Sequence, residues 1–280
     1  RAVNYRHAYH AGNFADVVKH ATLALVLDHL RAKDKPIAVL DTHAGIGRYD
    51  LQAIEAEKTG EYRDGILRVI DRPHPALAPY LGVVADMNPG RPTPRLYPGS
   101  PELIVRLTRP ADRIHLAELH PEDAAMLAAA YRGDPRVSVV HQDGYIALKA
   151  LLPPEPRRGL VLIDPPFEVT NEFERLARGL RHAHRRFATG IYVLWYPIKD
   201  RPPVAAFHKD LAESGIRRVL TAELLLRPDN DPERLNGCGL VVVNPPWQLD
   251  ATLEDLYGWL RDRFGASKSG RATVRMLVPE

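Results

Sequence analysis

Short apolar, β-rich runs alternate with helix-compatible stretches along most of this chain, and that alternation narrows its possible folds more than any other feature. The runs are Ile37–Leu40, Ile114–Leu119, Val137–Val140, Leu160–Ile163, Ile191–Trp195, Arg218–Leu226 and Leu240–Val243. The first five are largely apolar from end to end, the signature of strands covered on both faces. Helical stretches separate most of them: Ala15–Ala32 before the first, then Pro121–Tyr131, Tyr145–Leu152, Glu172–Arg186 and Val204–Ser214. Strand and helix in turn specify a doubly wound α/β sheet with right-handed crossovers. The expectation is a Rossmann-like fold, a seven-stranded mostly parallel sheet with helices on both faces.

One connection breaks the rhythm. The path from Gly47 to the strand at Ile114 is far longer than a crossover needs. Within it, Pro98–Arg109 reads as the true crossover helix, with Ser100 capping it and Pro101 at its first position. Residues 50–96 are then an inserted helical subdomain, helical around Glu55–Val69 and Pro75–Met87, and the main domain comprises 1–49 and 97–280.

Composition excludes several classes. The single cysteine, Cys238, allows no internal disulfide and no cysteine cluster for zinc, so a reducing cytoplasm and no metal are expected. No apolar run approaches the roughly 18–20 residues of a membrane span, and the first residues hold no signal-like apolar stretch. We expect a cytoplasmic monomer. The net charge of +3 does not by itself announce a nucleic-acid binder. The basic residues are skewed to 30 Arg against 8 Lys, which suits phosphate contact and base stacking but equally suits a GC-rich genome.

The chemistry gathers at strand ends. After the first strand comes Asp41-Thr42-His43-Ala44-Gly45-Ile46-Gly47, where glycines let backbone approach a ligand. A dinucleotide fingerprint would place a third glycine where Asp50 stands. The turn instead resembles the first motif of S-adenosylmethionine-dependent methyltransferases, D-x-F-x-G-x-G, with His43 in the Phe place. Glu118 closes the second strand, where a carboxylate can accept both hydroxyls of a ribose. Asp143-Gly144 follows the third, where a carboxylate can accept from an adenine amine.

The fourth strand runs into Asp164-Pro165-Pro166-Phe167. This tetrapeptide resembles the [D/N/S]-P-P-[Y/F/W] motif of enzymes that methylate planar amino groups. Such an amine is conjugated with its ring and is a poor nucleophile, so acceptors must hold both its protons. The Asp164 carboxylate and the Pro165 carbonyl suit that task, and two prolines keep them aimed. Phe167 offers a flat face to an extruded base. Asn244-Pro245-Pro246-Trp247 satisfies the same pattern but follows the seventh strand, away from the cofactor turn, and is assigned to structure. At the N-terminus, Tyr5-Arg6-His7-Ala8-Tyr9-His10, then Asp16, Lys19 and His20, concentrate aromatic, imidazole and cationic groups. His7 and His10 lack a third metal ligand, and base or phosphate contact suits the segment better. Arg175, Arg178, Arg181 and Arg185 recur at helical spacing, as a phosphate-tracking groove or as a solvated face.

Y-R-H-x-x-H-A-G-N, L-D-T-H-A-G-x-G-R-Y, Y-P-G-S-P, L-x-E-L-H-P, D-P-P-F, L-W-Y-P and V-N-P-P-W, in this order, resemble the RlmJ family of bacterial 23S ribosomal RNA adenine-N6 methyltransferases. The resemblance runs almost end to end and implies a class I S-adenosylmethionine-dependent fold, that cofactor, and 23S rRNA as partner. It implies cofactor contacts from Lys19, His20, His43, Gly45, Ser100, Glu118, Asp143, Gly144 and Asp164. Asp164 would also be the catalytic acceptor, with Pro165 and Phe167 holding the base and Tyr5 meeting the target adenine. The family commonly has Tyr where Phe167 stands, which preserves stacking but not a hydroxyl. The residues alone reach only methylation of an amine conjugated to a π system. DNA adenine or a protein glutamine amide are the alternatives in the same chemistry. A nicotinamide-dependent dehydrogenase and a non-catalytic RNA-binding module are the alternatives from other classes.

Overall fold

A computed structural model describes residues 7–280. Tyr5, expected to meet the target adenine, lies outside the described residues. The elements in order are α1 (Phe14–Arg31), β1 (Ala38–Asp41), β2 (Arg48–Asp50), α2 (Ile54–Thr59), α3 (Ala78–Asp86), β3 (Leu96–Pro98), α4 (Ser100–Arg106), β4 (Arg113–Glu118), α5 (Pro121–Tyr131), β5 (Val137–His141), α6 (Gly144–Leu151), β6 (Gly159–Ile163), α7 (Glu172–Arg186), β7 (Ile191–Ile198), α8 (Arg201–Ala212), β8 (Val219–Leu225), β9 (Gly237–Val243), α9 (Leu249–Arg263) and β10 (Arg271–Val278).

The main sheet runs β10-β8-β9-β7-β6-β1-β4-β5. From β5 through β7 all neighbours are parallel, whereas β9 is antiparallel to both β7 and β8, and β10 is antiparallel to β8. The sheet therefore has eight strands rather than the seven expected. The extra one, β10, alternates exposed and half-buried residues along an edge and lacks the apolar run by which the others are recognised. β1, β6 and β9 are buried at every residue, as near-continuous apolar strands between two helical layers should be. One layer joins α1, α4, α5 and α9 to the sheet, the other α6, α7 and α8.

The excursion after β1 differs from its expected form in detail. The first helix there is only Ile54–Thr59, closed by Gly60 at φ +63°, and two 3-10 turns, Glu61–Arg63 and Ile66–Arg68, replace its remainder. β2 and β3 pair antiparallel at the foot of the excursion, Arg48 with Pro98 and Asp50 with Leu96. The following helix spans Ser100–Arg106, shorter than expected. Its N-cap is Gly99, so Ser100 does not cap it; the Ser100 hydroxyl donates to Asp41 Oδ2 instead, at 2.6 Å.

Candidate active site

Because β1, β4, β5 and β6 are parallel, their carboxyl ends open along one edge of the sheet, where a cleft of about 720 Å³ lies. At the end of β1 the turn is tied down on all sides. The Thr42 hydroxyl donates to the Leu162 carbonyl at 3.0 Å, and the Ala44 amide to the Ala117 carbonyl. Gly45 takes φ +65°, a conformation costly for a side-chain-bearing residue, and its amide donates to Glu118 Oε2 at 2.8 Å. Asp41 is wholly buried beneath this turn and also accepts from the His43 amide at 3.2 Å. Burial pushes its carboxyl up to about 7, against the pull of the Ser100 hydrogen bond. Burial likewise holds the His43 imidazole down to about 4, a neutral ring that hydrogen-bonds Thr42 Oγ1 at 2.7 Å.

The neighbouring strands bring two more carboxylates to the cleft. Glu118 spans the turn, Oε1 accepting from the His120 amide at 2.8 Å, and its oxygens retain lone pairs for further donors. Asp143 caps α6 through Oδ1, accepting from the Tyr145 and Ile146 amides, while Arg175 lies 3.3 Å from Oδ2. Between them Gly144 sits hard against the first turn: a Cβ there would stand 2.4 Å from the Thr42 carbonyl oxygen. The missing side chain lets the start of α6 pack directly on Thr42 and His43.

Beyond β6, Asp164 meets the N-terminal segment. Lys19 Nζ lies 2.5 Å from Asp164 Oδ2 and 3.2 Å from Asp16 Oδ1. Asp16 also accepts from the Gly12 amide at 2.9 Å and from His7 Nε2 at 2.7 Å. Burial alone would raise the Asp16 carboxyl, yet His7 and Lys19 hold it well below the usual range. His20 is buried deeper, bonded to the Tyr97 hydroxyl at 2.9 Å, and burial holds it down to about 3. Phe167 carries φ +52°, rare for an aromatic residue, and is wedged between Phe173 and Trp195 at ring distances of 4.9 and 5.9 Å.

Lys19, His20, His43, Gly45, Ser100, Glu118, Asp143, Gly144, Asp164, Pro165 and Phe167 all line this one cleft. Sequence reading passed over Asp16 and Trp195 as site residues. The spacing of Asp16 from Lys19, one helical turn, was the available signal for the first; for the second it was the L-W-Y-P motif at the end of its strand. His7 and His10 are spoken for by Asp16 and Glu61, and among the described residues no group of three or more His, Cys, Asp or Glu could hold a metal ion. Asn244 sits elsewhere. Since β9 runs against β7, its carboxyl end points to the opposite sheet edge, where the Asn244 amide donates to the Ala188 and Gly190 carbonyls.

An open, twisted sheet with this strand order, a glycine turn after its first strand and acidic residues ending the next two define a class I methyltransferase. The comparisons with known proteins agree and narrow it. The sequence profile described as "RsmJ: Ribosomal RNA large subunit methyltransferase D, RlmJ" matches residues 34–278. "Ribosomal RNA large subunit methyltransferase J" of Escherichia coli (strain K12) is 43% identical over 280 residues, covering 99% of this chain and 100% of that protein. Its namesake in Haemophilus influenzae (strain ATCC 51907 / DSM 11121 / KW20 / Rd) is 40% identical over the same coverage. A crystal structure of a Legionella pneumophila str. Philadelphia 1 protein, 34% identical, superposes with a TM-score of 0.87 over 95% of this chain and 98% of that one. The chain belongs to the RlmJ family of ribosomal RNA large subunit methyltransferases.

Proposed function

We propose that this protein transfers a methyl group from S-adenosylmethionine to N6 of an adenine in 23S ribosomal RNA. The observation that carries the reading is the meeting of Asp164-Pro165-Pro166-Phe167 with Glu118 and Asp143 in one cleft. When bound, the cofactor supplies an electrophilic methyl on a sulfonium. Glu118 suits the ribose hydroxyls and Asp143 the adenine amine. Gly45 and Gly144 provide the close approach, with Lys19, His20, His43 and Ser100 around them. Lys19 occupies Asp164 Oδ2, which leaves Oδ1 to accept one proton of the target amine. The Pro165 carbonyl accepts the other. Both acceptors draw the nitrogen lone pair out of conjugation, and their fixed positions spare the reorganisation that water would need. Phe167, braced by Phe173 and Trp195, stacks on the base. Asp164 receives the proton released once the amine is methylated. Residues 50–96 act as a unit that shapes the entrance, since Glu61 reaches the cleft wall.

The test is transfer of labelled methyl from S-adenosylmethionine to protein-free 23S rRNA by wild type and Asp164→Ala. Label recovered as N6-methyladenosine with wild type alone is expected. Equal labelling by the variant would remove Asp164 from its role. Labelling of duplex DNA or of a protein glutamine, with none on RNA, would replace the substrate.

A further inference from the structure

Away from the cleft, α8 and β10 enclose a second concave site, a groove of about 280 Å³. Ala205 and Ala212 line it, together with Arg201, His208 and Lys209 of α8 and Arg275 of β10. Among the described residues no carboxylate lines it.

The cations there differ in how far protein groups already engage them. Arg201 directs Nε to Asp229 and Nη1 to Glu223 at 2.9 and 3.1 Å, but its Nη2 is buried with no hydrogen-bond partner. Arg201 is thus neutralised by two carboxylates, and its buried Nη2 does not open onto the groove. Arg275 makes no ion pair among the described residues; its Nη2 lies 3.4 Å from His208 Nδ1. The proton positions follow from the chain behind it. Tyr196 has one hydroxyl proton and donates it to Glu223 Oε1 at 3.0 Å, so it accepts from His208 Nε2 at 2.9 Å. His208 Nδ1 is then the acceptor that aims Arg275 without neutralising it. Burial, which outweighs the neighbouring Glu223, favours the neutral imidazole this requires. Lys209 meets only Glu213, at 3.9 Å between two exposed side chains, a pair of little strength.

The groove also starts in the right place. α8 begins at Arg201, just after Lys199, which lines the catalytic cleft.

We propose that the α8–β10 groove binds a backbone phosphate of the substrate RNA, with Arg275 and Lys209 as direct contacts. This rests on rRNA being the substrate.

The experiment uses the full chain with Arg275→Gln, Lys209→Gln, the double variant, and Ala205→Glu, which keeps both cations and adds a carboxylate to the lining. Methyl transfer is measured against protein-free 23S rRNA concentration at several salt concentrations. KM for RNA should rise about three- to ten-fold per variant, with kcat and cofactor affinity unchanged. The slope of log affinity against log salt should become shallower by about 0.7 to 0.9 for each phosphate that is no longer neutralised. Unchanged KM and slope in the double variant, with wild type active on RNA, would overturn the groove and leave the substrate standing. Inorganic phosphate bound by wild type and not by the double variant, with KM unchanged, would make the site one for free phosphate and equally overturn it. If wild type labels no RNA, the substrate reading fails; equal filter binding of 23S rRNA by wild type and the double variant would then overturn the groove too.

Discussion

Asp41 lies beneath the cofactor turn at a cost that can be measured. Its carboxyl is fully buried, and burial, only partly offset by Ser100 Oγ and the His43 amide, pushes it from 3.8 up to about 7. The unfolded chain releases that proton near pH 3.8, the folded chain near 7. Between those values the folded state binds the extra proton, so the contribution of Asp41 to stability falls as pH rises and levels off above about 7. Each pH unit in that window is worth about 1.4 kcal/mol, so from about pH 5 to about pH 8 this group removes about 3 kcal/mol. Asp41→Asn cannot titrate. Urea unfolding of both proteins at about pH 5 and about pH 8 isolates the effect, because every other group cancels in the difference. The variant should gain about 3 kcal/mol on wild type between the two conditions. It should also bind S-adenosylmethionine more weakly, since one amide oxygen cannot serve both Ser100 and His43. Parallel pH profiles for the two proteins would refute the buried-acid account.

Gly144→Ala should weaken cofactor binding at least about tenfold by calorimetry, because the new Cβ meets the Thr42 carbonyl at 2.4 Å and backbone cannot step aside; unaltered affinity would mean that α6 moves freely. Gly65→Ala places a Cβ 2.0 Å from the Gly12 carbonyl oxygen, which accepts from the Ile66 amide. Amide exchange at Gly12, Asn13 and Ile66 should accelerate, and unchanged protection there would count against a fixed contact. Lys19→Met removes the ammonium between Asp16 and Asp164 and should lower methyl transfer by about 100-fold, with roughly 3 kcal/mol lost in stability. Activity within about twofold of wild type would show that Asp164 needs no positioning by Lys19.

Glu118, Asp143 and Asp164 were legible because each follows an apolar run, and parallel strands bring such ends together whatever the sequence between them. Ser100 shows what one-dimensional reading misses. Serine before proline looks like a helix cap, yet its hydroxyl is claimed by Asp41, a partner distant along the chain. β10 escaped for a different reason: an edge strand with one wet face carries neither the apolar run nor an unbroken alternation. The helix expected through Glu55–Val69 broke at Gly60 and Gly65, the first taking a left-handed conformation and the second pressed against Gly12. Local glycine chemistry outweighed helical periodicity there. The hydrogen bonds of His7 to Asp16 and of Lys19 to Asp164 depend on tertiary placement, and no spacing rule reports them.

The short pairing of Arg48–Asp50 with Leu96–Pro98 has a bearing on how such a chain varies. It brings the two ends of the excursion together where they leave and rejoin the sheet scaffold, so length can be added at the exposed turns beyond it without disturbing the register of β1 against β4. Closing a loop twice as long costs only about 0.6 kcal/mol more. A longer excursion on the same buckle would therefore cost this fold little, provided the segments that pack on α1 keep their places.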